Sequence, residues 1–152
     1  MNSPHRRQFL GRSLGVAHVA MASVLLPGAA RAFAPASSAD GRRLSFNHLH
    51  TREQTALVYA VGGDFIQPAL TRLNHFLRDH YSGEVGVIDP ELFNLLHRVR
   101  QELGTDQAFH VISGYRSPNT NETLRTTRGG GVAKRSLHMD GKAIDVRLPG
   151  VA

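Results

Sequence analysis

Residues 89–104 read DPELFNLLHRVRQELG, and the reading of the whole chain turns on this stretch. Asp89 is a helix N-cap, and Pro90 sits at the first helical position, where its missing N–H costs nothing. Gly104 ends the segment. Between these signals Leu92, Leu95, Leu96, Val99 and Leu103 recur at three- and four-residue spacing. Such a stripe is a core face and carries no function.

The chain organises around this helix in both directions. Upstream, Phe65 to Asp79 predicts a second helix, with Asp64 as cap, Pro68 early, and Ile66, Leu70, Leu73 and Leu77 on one face. Gly62-Gly63 breaks the chain before it. Leu44–Leu49 and Thr55–Val61 are β-leaning runs, and Arg52-Glu53 between them suggests a hairpin connection. Downstream, Phe109–Ser113 is a short buried strand and Ser113–Pro118 a turn. Thr120–Thr127 is a short helix with Asn119 as its cap, Arg128–Arg135 a glycine-rich loop, and Ala143–Leu148 a strand closed by Pro149-Gly150. Strands, then two helices, then strands predict an α+β fold, a small mainly antiparallel sheet packed by two helices.

Composition removes several function classes. The 152 residues suit one domain. An apolar share of 41% and a charged share of 20% exclude disorder and coiled coil. No apolar run is long enough for a permanent membrane span. The absence of Cys excludes disulfides, cysteine proteases and thiolate metal sites. The formal charge of +6 is concentrated at the start, because residues 1–32 hold four Arg and no acid. The remainder sets 14 basic residues against 12 acidic ones, which is no nucleic-acid footprint.

That basic start has the plan of an export signal. Arg6-Arg7-Gln8-Phe9-Leu10 is a twin-arginine pair followed by Phe-Leu. Leu14–Leu26 is a short apolar stretch, Pro27-Gly28 ends it, and Ala30-Arg31-Ala32 offers a small-residue cleavage site. The head resembles the twin-arginine signal, which carries folded proteins across the membrane. The expected organisation is a signal peptide at 1–32, a Pro/Ala/Ser-rich linker at 33–42 and one domain at 43–152, with the periplasm as destination.

Seven histidines follow the leader, and most carry no local signal of function. His48-x-His50 would place two rings on one strand face, a spacing able to bind metal. His138 stands in richer company. Asp140-Gly141 is a tight-turn dipeptide that lets the chain reverse after His138 and enter the strand bearing Asp145. An imidazole and a carboxylate can then converge on one ion, and mixed N and O ligands suit zinc. On spacing alone, a surface turn with an incidental His explains the same residues. A Walker loop fails at Gly141-Lys142, because Ser136 stands where Gly is needed and Ala143 where Ser or Thr is needed. No G-x-S-x-G elbow supports a serine nucleophile.

Ser113-Gly114-Tyr115-Arg116-Ser117-Pro118 with Asn121, Gly131-Val132-Ala133, Ser136-x-His138-x-x-Gly141-x-Ala143-x-Asp145 and Leu148-Pro149-Gly150 together resemble the murein endopeptidase K family. Those zinc peptidases share a fold with D-Ala-D-Ala carboxypeptidases and the Hedgehog signalling domain. Asn47-His48-Leu49-His50-Thr51 also looks like the start of that family's domain. The resemblance implies an exported zinc peptidase that hydrolyses peptide cross-links of peptidoglycan. It implies His138 and Asp145 as zinc ligands, Arg116 as the oxyanion donor, and Ser136, Tyr115 and Asn121 as substrate-binding residues. Peptidoglycan stem peptides and the twin-arginine export machinery are the implied partners.

The family's third zinc ligand is a His well downstream of the Asp, in a final strand, followed by an acidic base. No His follows Asp145 here. The expectation is therefore a domain lacking its last strand, with two named ligands and little or no hydrolysis. The alternative function is a non-catalytic periplasmic module that binds peptidoglycan stems.

Overall fold

The computed structural model describes residues 40–127 and 131–151, all within one compact unit, Ala34–Ala152. The expected leader at 1–32, most of the linker, and Gly129-Gly130 of the glycine-rich loop lie outside the described residues. No described helix is long and apolar enough to cross a membrane.

Eight elements follow in order: β1 Gly41–His48, β2 Gln54–Val61, β3 Asp64–Phe65, α1 Gln67–Phe76, α2 Pro90–Glu102, β4 Phe109–Ser113, α3 Pro118–Thr127 and β5 Asp145–Arg147. The fold is α+β. The strands form one sheet in the order β3-β2-β1-β4-β5. Pairing is antiparallel at β1–β2, β2–β3 and β4–β5 and parallel at β1–β4, where Phe46 faces Phe109. The parallel pair exists because α1 and α2 intervene as a crossover between the two strands.

Period-two alternation places Leu44, Phe46 and His48 of β1, and Phe109, Val111 and Ser113 of β4, in the interior. Leu70, Leu73 and Phe76 of α1 and Phe93 and Leu96 of α2 close over them. Phe46 packs 6.0 Å from both Phe76 and Phe109, centroid to centroid. Tyr59 of β2 lies against Phe93 and donates its hydroxyl to Asn94 Oδ1 at 3.0 Å, so its one polar atom is satisfied.

Several boundaries differ from the sequence expectations, each for a local reason. Asp64 does not cap α1, because Asp64 and Phe65 pair with Val61 and Ala60 as β3. The helix starts after Ile66 with no side-chain cap and stops at Phe76, short of Asp79. Asp89 caps α2 as expected, accepting from Glu91 N at 3.0 Å. The buried face of α2 centres on Phe93 and Leu96, while Leu95 and Leu103 are exposed. For α3 the cap is Ser117, whose Oγ accepts from Thr120 N at 3.2 Å; Asn119 lies inside the helix. The last strand is shorter than Ala143–Leu148 because only residues 145–147 meet β4.

His48 occupies a core position in β1, 2% exposed. Its Nδ1 accepts from the N–H groups of His50 and Thr51 at 3.2 and 3.4 Å, and its Nε2 has no partner among the described residues. Burial, reinforced by the neighbouring His80 and His50, lowers its pKa to about 4. Glu53 on the hairpin pulls the other way, and Arg78 at the end of α1 adds to the lowering. In the unfolded chain this ring takes a proton near pH 6.5. Below that pH the unfolded state binds more protons, so stability falls as pH drops from about 6.5 towards 4. The loss at this one group is about 3 kcal/mol. Urea denaturation at pH 7 and pH 4.5 should show it, and His48→Asn should flatten the difference. A wild-type chain equally stable at both pH values would contradict a buried neutral His48.

Candidate active site

The end of β4 is the platform on which the candidate residues meet. Asp145 begins β5 directly opposite Ser113, the last residue of β4. One residue on, the Gly114 carbonyl lies 2.8 Å from His138 Nδ1. Two residues far apart in the chain are thus anchored to neighbouring peptide units. The result is His138 Nε2 at 3.4 Å from Asp145 Oδ2, with the His side chain 12% and the Asp side chain 53% exposed.

A carbonyl oxygen can only accept, so the Gly114 contact places the neutral ring's proton on Nδ1. That leaves a lone pair on Nε2, facing a carboxylate oxygen that is also an acceptor. Two acceptors with no proton between them repel at this distance, and a cation between them removes the conflict. Their separation is close to the roughly 3.3 Å ligand–ligand edge expected for tetrahedral zinc with bonds of about 2.0–2.1 Å. The Nδ1–H···O=C contact is the kind of support that orients a metal-bound imidazole. The pair therefore fits two positions of a zinc site. Among the described residues no set of three His, Asp or Glu side chains converges as a metal site.

The turn carrying His138 is built by its own hydrogen bonds. Met139 N donates to Ser136 O at 3.0 Å and Lys142 N to Leu137 O at 2.9 Å. Gly141 closes the turn at φ +65°, where a side chain is strained, and a Cβ there would run into the Val87 carbonyl. Asp89 N then donates to Gly141 O at 3.0 Å, fastening the turn to the start of α2.

Arg116 joins this centre through its backbone, its N–H donating to His138 O at 3.1 Å. Its Nη1 donates to Asn121 Oδ1 at 3.4 Å, and Asn121 Nδ2 donates to Ala133 O at 3.0 Å. Asn121 is 2% exposed and spends both ends of its amide inside the protein. It orients the guanidinium from beneath. Ser136 is likewise buried, its Oγ accepting from His138 N at 3.4 Å. Tyr115 is half-buried, its ring filling the space where Gly86 lacks a Cβ and its hydroxyl donating to Glu84 Oε1 at 3.3 Å.

Asp79 belongs to the same assembly, although nothing in the sequence reading singled it out. It is 1% exposed. Its Oδ2 accepts from Ser117 N at 2.9 Å, and its Oδ1 accepts from Tyr81 N at 2.9 Å and Ser82 N at 3.4 Å. Burial disfavours its charge, but bonds from Thr120 and from the Ser117 and Tyr81 amides outweigh that and hold its pKa at about 2. Tyr115 N donates to Leu77 O at 2.7 Å. Arg116 therefore sits between two residues tied to the loop after α1. A local signal was present in Asp79-His80-Tyr81-Ser82-Gly83, an Asp three residues before a Ser-Gly turn pair and able to form an Asx-turn.

His48 and His50 do not form the strand-face pair considered from spacing, because His50 lies in the turn after β1. His80 joins them instead, stacked on His50 at 4.2 Å and edge-on to His48 at 5.7 Å. Parallel stacked rings direct their in-plane lone pairs side by side, so His50 and His80 cannot share an ion in this arrangement.

Comparison with known proteins bears on the whole domain. The family profile described as Peptidoglycan L,D-endopeptidase MepK matches residues 36–152. The chain is 42% identical over 139 residues to the peptidoglycan L,D-endopeptidase MepK of Escherichia coli (strain K12), covering 91% of this chain and 75% of that one. It is 34% identical over 139 residues to the probable peptidoglycan L,D-endopeptidase MepK of Haemophilus influenzae, covering 91% and 73%. No solved structure gives a significant match.

Proposed function

Because the chain belongs to the peptidoglycan L,D-endopeptidase MepK family, we propose that it is a peptidoglycan endopeptidase that hydrolyses peptide cross-links by metal-assisted chemistry. The observation that carries the metal part is the unshared 3.4 Å approach of His138 Nε2 to Asp145 Oδ2. These two side chains would hold a zinc ion together with a further donor. When bound, such an ion polarises the scissile carbonyl and lowers the pKa of a water.

The chain's own residues do the rest. Gly114 O fixes the His138 tautomer. Arg116, steadied by Asn121, offers N–H donors to the oxygen that gains charge as the amide carbon becomes tetrahedral. Asp79 keeps the Arg116 backbone in place through Ser117. The turn from Ser136 to Gly141 sets the His138 ring against β4.

The test is release of muropeptides from purified peptidoglycan by the zinc-loaded chain. Arg116→Ala should reduce whatever rate the chain sustains about 10²–10³-fold, the usual effect of losing one oxyanion donor. Binding without any release would favour a peptidoglycan-binding module instead.

Export through the twin-arginine route to the periplasm is part of the same proposal, supported by Arg6-Arg7 and Ala30-Arg31-Ala32. Replacing both arginines, Arg6→Lys with Arg7→Lys, should leave the protein unprocessed in the cytoplasm. Processed protein in the periplasm of that strain would remove the assignment.

A further inference from the structure

Residues 84–88 lead from the Asp79 loop to α2 and belong to no helix or strand. Their exposure alternates: Val85 and Val87 are 50% and 75% exposed, Gly86 faces the Tyr115 ring, and Ile88 is buried. Period-two alternation is the mark of extended backbone. The segment is pinned at both ends. Glu84 O accepts from Asp79 N at 2.9 Å, and Ile88 N donates to Asn74 Oδ1 at 3.0 Å. Between these anchors Val85, Gly86 and Val87 make no backbone hydrogen bond among the described residues; in extended backbone Val85 and Val87 turn their N–H and C=O groups to one edge, beside the His138 turn, and Gly86 turns its own to the other.

This open edge adjoins the candidate site. Val87 O lies against Gly141, the residue that closes the His138 turn. Leu137, 58% exposed, stands on the same turn. We propose that Val85–Val87 is the edge on which a stem peptide is held, main chain to main chain, so that its scissile amide is delivered to His138 and Asp145. This rests on the peptidase reading given above. A run of unpaired backbone groups suits an added strand, with the valines supplying contacts for small side chains. Exposed Arg135 and Lys142 on the same turn suit the free carboxylates of a stem peptide.

The test is a titration of the isotope-labelled full chain with soluble cross-linked muropeptide dimers. The amide signals of Val85 and Val87 should shift, and their hydrogen exchange should slow at saturation. Val87→Pro removes one main-chain donor and should weaken binding about tenfold. Val87→Thr keeps the N–H and should stay within about threefold. Muropeptide binding that leaves these amides unchanged, or a folded Val87→Pro chain that binds like wild type, overturns the edge and leaves the peptidase reading standing. Absence of binding overturns both. If Val87→Pro does not fold, amide exchange in the wild-type chain decides alone.

Discussion

His138→Ala is expected to weaken specific zinc binding at least ~100-fold and to abolish any metal-dependent hydrolysis. Removing an outer partner of a metal-bound His already costs about 10–100-fold, and this change removes the ligand itself. The ring is anchored by Gly114 O at 2.8 Å and presents Nε2 to Asp145 at 3.4 Å. Without it Asp145 remains as a half-exposed carboxylate, which holds zinc poorly alone. Asp145→Asn should act in the same direction by removing the negative charge. The check is competition with a chromophoric zinc chelator, with circular dichroism to show that both variants fold. Equal zinc uptake by wild type and His138→Ala would falsify the pairing as a metal site.

Gly141→Ala is expected to destabilise the domain by about 2–5 kcal/mol. Two costs combine. A non-glycine residue at φ +65° loses about 1–2 kcal/mol. The added Cβ meets the Val87 carbonyl and the Ile88 Cα, which are backbone atoms with little freedom to move. Overpacking of that kind costs about 1–3 kcal/mol. The same substitution threatens the bond from Asp89 N to Gly141 O, and with it the hold of α2 on the His138 turn. Gly150→Ala is the control, since Gly150 has a φ of +80° but, among the described residues, no non-neighbouring atom within 4 Å of its Cβ position. Urea denaturation of the two variants separates strain from collision. Equal losses would leave the Val87 contact without energetic weight.

The approach of His138 to Asp145 was one of two readings the local sequence allowed: Asp140-Gly141 announces a tight turn, but spacing equally suited an incidental surface His, and the family resemblance chose between them. The α+β class followed equally from the order of β-leaning and helical runs. Asp79 was not legible as a site residue, since its work depends on Ser117, which reaches it only after the chain folds. Nor could spacing show that His80 stacks on His50, or that β1 and β4 run parallel. Asn121 and Ser136 were named through the family resemblance alone, and their burial, which depends on packing from distant elements, has no signal in the local sequence. Asp64 has the chemistry of a helix cap, yet pairing with Val61 claims its backbone first.

The parallel pairing of β1 with β4 has a kinetic side. Phe46 can meet Phe109 only after the hairpin, α1 and α2 have been spanned, so this contact closes a long loop. Local pieces, the β1–β2 hairpin and the two helices, can form early, whereas the central strand pair has high contact order and comes late. His138 and Asp145 are both positioned against the end of β4, so their meeting waits for that step. A ribosome-bound chain that has emerged only as far as α2 holds most of its core residues but lacks Arg116, His138 and Asp145. Hydrolytic competence would thus arrive as one of the last events in folding.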